Sequence, residues 1–258
     1  MTTPALAAAD AMAITRRNLI KYLRVPNLIV FSTVQPVMFV LLFAYVFGGA
    51  IKGALPPRVH YIDFLMPGIV VQTVVFGSTQ TGVGLAEDMT KGIIDRFRSL
   101  PMARSAVLAG RTISDTVRNL AVVVLMVLVG TLIGFRIHTG VLPALVALGV
   151  ALGFGFAMSW ISATIGLVLR DVETAQSASF VWIFPLVFAS SVFVPLRTMP
   201  GWLQSFARAN PITNVANAIR ALTLGGATTR PLLYALAWLS AILVTFAPLA
   251  TRQYRKVA

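Results

Sequence analysis

The sequence predicts an all-α integral membrane protein with six transmembrane helices, and three observations carry that expectation. Of its 258 residues, 57% are hydrophobic and only 11% are charged, against roughly 25% charge in a soluble domain. Such a chain has too little polar side chain to cover a water-facing surface. Six apolar runs each reach the length of about 20 residues that crosses a bilayer as a helix. The net charge of +13 is scattered through the gaps between those runs, as expected for loops flanking membrane spans. It forms no basic face of the kind that binds nucleic acid, so no nucleic-acid partner is expected.

In chain order, residues 10–25 come first, in the stretch DAMAITRRNLIKYLRVP. Met12, Leu19 and Leu23 fall on one helical face and Arg17, Lys21 and Arg24 on the opposite one. That pattern predicts a helix lying in the membrane interface with its charges toward anionic headgroups. Pro26 lets the chain turn into the bilayer. No secretory signal is expected ahead of it, because the first ten residues carry Asp10 and no basic stretch. The spans are expected at about 28–49, 64–86, 116–135, 143–169, 174–194 and 231–250. Only FRIHTG separates the third and fourth, a hairpin, and only LRDVE the fourth and fifth. The pairs Gly130/Gly134 and Gly149/Gly153 predict close packing within that hairpin. With both termini inside, the inner segments hold 14 Lys and Arg and the outer segments 7 of the 21, so both termini are placed in the cytoplasm.

Residues 195–226 are too long for a turn and too apolar for a solvated loop. Pro200 and Pro211 suit the first turn of a helix. Ile212, Val215, Ile219 and Leu222 then repeat at helical spacing, with Asn214, Asn217 and Arg220 away from that stripe. Two short helices dipping into, or lying on, the outer leaflet are expected, with Gly225 and Gly226 breaking the chain before the last span.

Chemistry is sparse. The chain has no cysteine, which removes disulfides, thiol chemistry and zinc-thiolate sites. His60 and His138 have no partner at metal-ligand spacing, so no metal site is expected. No GxxxxGK[ST] loop is present to cradle a phosphate, and no catalytic constellation is visible. The span interiors carry no Asp or Glu, which argues against proton coupling. A transport subunit rather than an enzyme is expected, with no cofactor on this chain and energy supplied by a partner. Gln35, Gln72, Gln80, Ser159, Asn210 and Asn214 are the candidates for a substrate path. Polar residues in spans also hydrogen-bond neighbouring helices, and the sequence leaves both roles open.

The longest charged passage is residues 87–104, EDMTKGIIDRFRSLPMAR, on the cytoplasmic side. Read as a helix over 91–100, Ile93, Phe97 and Leu100 form an apolar stripe with Ile94 beside it, and Lys91, Asp95 and Arg98 form the other face. Glu87 and Asp88 suit the positive end of such a helix, and Pro101 stops it. A helix of ten residues needs something to pack on. Periodicity does not decide between the membrane surface, its own neighbours and a groove on a cytoplasmic protein.

This loop, together with YIDFLMPGI at 61–69 and VPLRTMPGW…NPITNVANAIRALTLGG from Val194 to Gly226, resembles the type-2 ABC exporter permeases, in particular the daunorubicin/doxorubicin-resistance permease subfamily. The resemblance covers nearly the whole chain. It implies a multi-pass bacterial cell-membrane protein, part of a multidrug or antibiotic resistance exporter for an amphiphilic drug or lipid-like substrate. It further implies pairing with a second permease, identical or similar, and with two copies of a cytoplasmic ATPase that carry ATP and Mg. The family's coupling helix maps onto Gly92 to Leu100, followed by Pro101 and Arg104. Two other functions stay open at this stage: a permease for a lipid-linked glycan or cell-wall lipid, and a passive channel or membrane scaffold with no ATPase.

Overall fold

Residues 4–24, 26–53, 55, 59–94 and 104–257 are described by the computed structural model. Ten helices lie among them: α1 (Pro4–Arg24), α2 (Pro26–Leu41), α3 (Gly48–Lys52), α4 (Tyr61–Thr90), α5 (Arg104–Leu132), α6 (Val141–Leu169), α7 (Val172–Phe188), α8 (Gly201–Ala209), α9 (Pro211–Leu224) and α10 (Thr229–Val257). A π-helical turn over Leu42–Phe47 joins α2 to α3 without a break. Four of these helices, α4, α5, α6 and α10, are long and apolar enough to cross a membrane. The α2–α3 stretch and α7 supply further, shorter apolar helices.

The centre of the bundle is α4, which packs against α2, α5, α6, α7 and α9. Leu65, Met66, Ile69, Val71, Val74 and Val75 are all fully buried on it, as expected of a helix apolar on every face. At the periphery, α10 rests on α6 and α9 and leaves Leu233, Leu236, Trp238, Val244 and Leu249 exposed, an apolar face suited to lipid.

Helices α4 and α6 cross at backbone contact. A Cβ on Gly82 would collide with the Ser162 carbonyl, and one on Gly166 with the Gly82 carbonyl. Backbone cannot give way as a flexible side chain can, so Gly82→Val is expected to cost at least the roughly 1–3 kcal/mol of overpacking. A clear drop in melting temperature, followed by size-exclusion in detergent, checks this. The GxxxG pairs do not make the hairpin contact expected of them. Gly130 faces Met66 of α4, Gly153 faces Leu239 of α10, and Gly149 has open space. Gly134 sits past the end of α5 at φ +107, where the Phe135 amide donates to the Gly130 carbonyl (2.8 Å). That is the left-handed helix stop only glycine takes without strain.

The apolar run expected to span 174–194 ends as a helix at Phe188, and residues 189–194 are turns. Ser190 and Ser191 compete with the helix there: Ser190 Oγ donates to the Val187 carbonyl and accepts from the Val192 amide. Unwound backbone inside a bundle needs partners, and α9 provides them. Asn210 Nδ2 donates to the carbonyls of Leu186 (2.7 Å) and Ala189 (3.1 Å), and Thr213 Oγ1 accepts from the Ser191 amide (3.0 Å). Arg220 donates to the carbonyls of Ser191 (2.6 Å), Val192 (3.2 Å) and Phe64 (2.9 Å). Tyr61 adds a bond to the Phe193 carbonyl (2.9 Å).

Thus α9 does not lie on a surface. It is inserted among α4, α6 and α10, with Arg220 buried rather than facing outward. The amphipathic reading assumed burial on one side only, whereas this helix is enclosed on both.

Candidate substrate cavity and coupling region

At one end of the bundle, α1 is tied to α4 and α5 by a dense polar cluster. Arg17 pairs with Asp88 (3.1 Å) and Lys21 with Glu87 (2.8 Å). Arg111 approaches both Asp88 (3.8 Å) and Asp115 (3.6 Å). The fully buried Asp115 carboxylate also accepts from the hydroxyls of Tyr22 and Thr81. Thr15 donates to the Gly110 carbonyl (3.1 Å) and Asn18 to Ser114 (3.3 Å).

Two expectations change here. Arg17 and Lys21 pair with protein carboxylates instead of pointing at headgroups, and the buried face of α1 is Ala11, Ile14, Thr15, Asn18 and Tyr22, while Met12 is exposed. Glu87 and Asp88 also do not open a helix. They sit in the last turn of α4, the end where the helix dipole disfavours negative charge, and basic neighbours offset it. Just beyond that turn Lys91 is paired with Glu87 (2.6 Å), and the carboxylate's hydrogen bond and charge push its ammonium pKa up.

Gly92 follows at φ +65, so the chain turns sharply after Lys91. Ile93 is half-buried, and Ile94 is buried in a cluster with Ile14, Leu85, Val107, Leu108 and Tyr254. Ile94 therefore packs on its own bundle. Phe97, Leu100 and Pro101 lie outside the described residues, and Arg104 is the first residue of α5.

Of the polar residues proposed for a path, Gln35, Gln72 and Gln80 come together. They line a cavity of about 320 Å³ between α2, α4, α5 and α7, beside Tyr22, Thr73, Phe76, Arg118, Asn119, Gln176 and Phe180. Gln72 Oε1 and Arg118 Nε are buried there with no hydrogen-bond partner among the described residues. Gln35, Gln80, Gln176 and Phe180 are exposed along its mouth. The other three candidates do not reach it. Ser159 donates to the Gly155 carbonyl (3.0 Å) within α6. Asn210 caps α9 by accepting from the Ile212 amide (2.9 Å). Asn214 donates to the Asn210 carbonyl (2.9 Å). Each is used in holding helices.

Sequence reasoning missed Arg111, Asp115 and Arg118, which hydropathy set at the edge of a span beginning at 116. The helix begins 12 residues earlier. Their i, i+4, i+7 spacing, with Ser114 and Asn119 alongside, was the available signal of one polar face.

A larger cavity of about 590 Å³ lies between α4, α5, α6 and α9. Its walls are almost wholly apolar, with Met66, Val127, Leu145 and Ile219 among them, and it lacks the convergent polar groups that orient a ligand. At the α6–α7 turn, the Thr174 hydroxyl and amide donate to Asp171 (2.7 and 2.8 Å). They cap α7 and hold the Asp171 carboxyl below its ordinary pKa.

Residues 10–224 match the ABC-2 type transporter family model. The chain is 36% identical over 254 residues to the daunorubicin resistance ABC transporter permease protein DrrB1 of Streptomyces coeruleorubidus, covering 98% of this chain and 89% of that one. It is 25% identical over 253 residues to the probable doxorubicin resistance permease DrrC of Mycobacterium tuberculosis H37Rv, covering 98% and 91%. To the putative transport permease ycf38 of Cyanophora paradoxa it is 27% identical over 223 residues, covering 83% and 73%.

Proposed function

The chain belongs to the ABC-2 type transporter family, as the membrane subunit of an ABC transporter, and on that premise we propose that it exports an amphiphilic, drug-like or lipid-like substrate from a bacterial cell. In this reading the six apolar runs are six spans with both termini in the cytoplasm. Two permeases pair, each engaging a cytoplasmic ATPase that binds ATP and Mg. ATP-driven closure of the ATPases is passed through residues 87–104 into α4 and α5. The observation that supports a substrate path most directly is the cavity of Gln35, Gln72 and Gln80: three amide side chains, one with a buried oxygen that no donor among the described residues reaches, set beside the rings of Phe76 and Phe180. An amphiphile needs both kinds of wall.

The test is co-expression with the ATPase and ATP-driven uptake of a fluorescent amphiphile into inverted vesicles. Wild-type vesicles are expected to accumulate it. Phe97→Ala, which truncates the proposed anchor in the ATPase groove, is expected to weaken ATPase binding by about tenfold or more, as truncating a central interface anchor does. Arg98→Ala, on the other face in the sequence's helical reading, is expected to bind near wild type. Equal binding by both variants would remove the coupling role from this segment. Uptake driven by a proton gradient without nucleotide would remove the ABC mechanism.

A further inference from the structure

We propose that the Gln35–Gln72–Gln80 cavity selects a negatively charged amphiphile, whose anionic head group pairs with Arg118; this rests on the export reading above and names the substrate class of that same cavity. Arg118 lies on α5 where the polar stretch from Arg111 to Asn119 meets the apolar run that continues to Leu132, and a buried ionisable group at such a border is a candidate functional group.

Arg118 is buried and has no carboxylate partner among the described residues. Its Nη2 donates to the Gly77 carbonyl (2.6 Å) and to Asn119 Oδ1 (3.2 Å), and the guanidinium lies 5.3 Å from the Tyr22 ring centre. The nearest acid on its own helix, Asp115, is already taken by Tyr22, Thr81 and Arg111. Arg118 Nε is buried without a partner among the described residues, and the Arg118 side chain is part of the cavity lining. A buried cation paired only with neutral dipoles is costly, and an incoming anion restores what burial removed.

The rest of the lining agrees. No Asp or Glu is among the described residues of the cavity lining, so nothing among them favours an amine, and Arg118 repels one. Gln72 also lines the cavity, and its buried Oε1 has no donor among the described residues, so a hydroxyl or N–H of a ligand that seats there can satisfy it. Phe76 and Phe180, with ring centres 5.9 Å apart, receive its apolar part at the mouth.

The experiment uses the purified permease in nanodiscs of zwitterionic lipid, with empty-disc signal subtracted. The probes are 1-anilinonaphthalene-8-sulfonate and N-phenyl-1-naphthylamine, which share an aromatic skeleton and differ by the sulfonate. The anionic probe is expected to bind about tenfold tighter or more, the factor carried by about 1.4 kcal/mol of charge-assisted hydrogen bonding. Arg118→Met is expected to bring the two probes level, Arg118→Lys to keep most of the preference, and Gln72→Leu to weaken both alike. Equal affinities in the wild type, or a preference unchanged in Arg118→Met, overturns the proposal. Should Arg118→Met not yield a folded protein, the wild-type comparison and the Lys variant decide.

Doping the discs with anionic lipid separates the two sources of such a ligand. Displacement of the probe assigns the site to a lipid headgroup, and undiminished binding assigns it to a free amphiphile. A permease that exports with its ATPase yet binds both probes alike refutes this inference alone. One that binds the sulfonate through Arg118 yet drives no ATP-dependent transport refutes the export reading alone.

Discussion

Arg220→Leu is expected to be the most damaging single substitution in the chain. The guanidinium makes five hydrogen bonds, to the carbonyls of Phe64, Ser191 and Val192 and to the side chains of Ser191 and Asn217. It also lies 3.8 Å from the Phe64 ring centre. Leucine leaves buried acceptors on the unwound 189–194 segment with nothing to accept from, at roughly 1–3 kcal/mol for each. A summed loss above roughly 3 kcal/mol is a large part of the total stability of an ordinary domain. Arg220→Lys is expected to recover little, since one ammonium cannot reproduce the planar fork that serves three carbonyls. Thermal melting followed by size-exclusion in detergent reads both, and a wild-type melting point for Arg220→Leu would show that the segment is held by something else.

Asp115→Ala is expected to be nearly as severe, for the opposite electrostatic reason. It removes a buried carboxylate, leaves the hydroxyls of Tyr22 and Thr81 without their acceptor, and reduces the partners of Arg111 to Asp88 (3.8 Å) and the Gln80 carbonyl (3.1 Å). Breaking a buried pair from one side typically costs about 3–5 kcal/mol. Tyr22→Phe or Thr81→Val loses a single hydrogen bond, about 1 kcal/mol each. The signature of the network is non-additivity: in the Asp115→Ala background, Tyr22→Phe is expected to cost close to nothing. Additive losses would mean that Tyr22 does not act through Asp115. Because Tyr22 also lies beside Arg118, the same variants are expected to change ligand affinity in the cavity, which separates them from simple packing defects.

The helices that cross apolar space were legible because hydrophobic runs of span length have few alternatives in a chain this apolar. Their ends were less legible. Hydropathy begins a span where charge stops, but α5 carries Arg111, Asp115 and Arg118 inside its helix because α1 and α4 bring partners to them. Tertiary partners of this kind are invisible in a local window. The same limit explains Glu87 and Asp88: their acidity is real, yet the residues that give it meaning, Arg17 and Lys21, lie about seventy positions earlier in the sequence. Arg220 does lie away from the aliphatic stripe, but its burial was not legible, because a stripe of four aliphatics is also found on a helix buried all round. For the path residues, amide side chains did point to the cavity through Gln35, Gln72 and Gln80. Ser159, Asn210 and Asn214 share their polarity and not their place, and composition has no way to tell the two groups apart.

The order in which the chain is made has a bearing on α9. A ribosome delivers Phe64, then Ser191 and Val192, and only afterwards Arg220. An arginine entering a bilayer by itself costs roughly 2.5–3.5 kcal/mol at a helix centre on insertion scales. Here its acceptors are already synthesised, and the two serines that end α7 have already freed the carbonyls it uses. Biogenesis can therefore lower this cation into a prepared socket as the last structural step before α10 closes the side. Moving the α9 segment ahead of α7, as a circular permutation would, deprives the newborn helix of that socket and leaves an exposed charge for quality-control proteases to find.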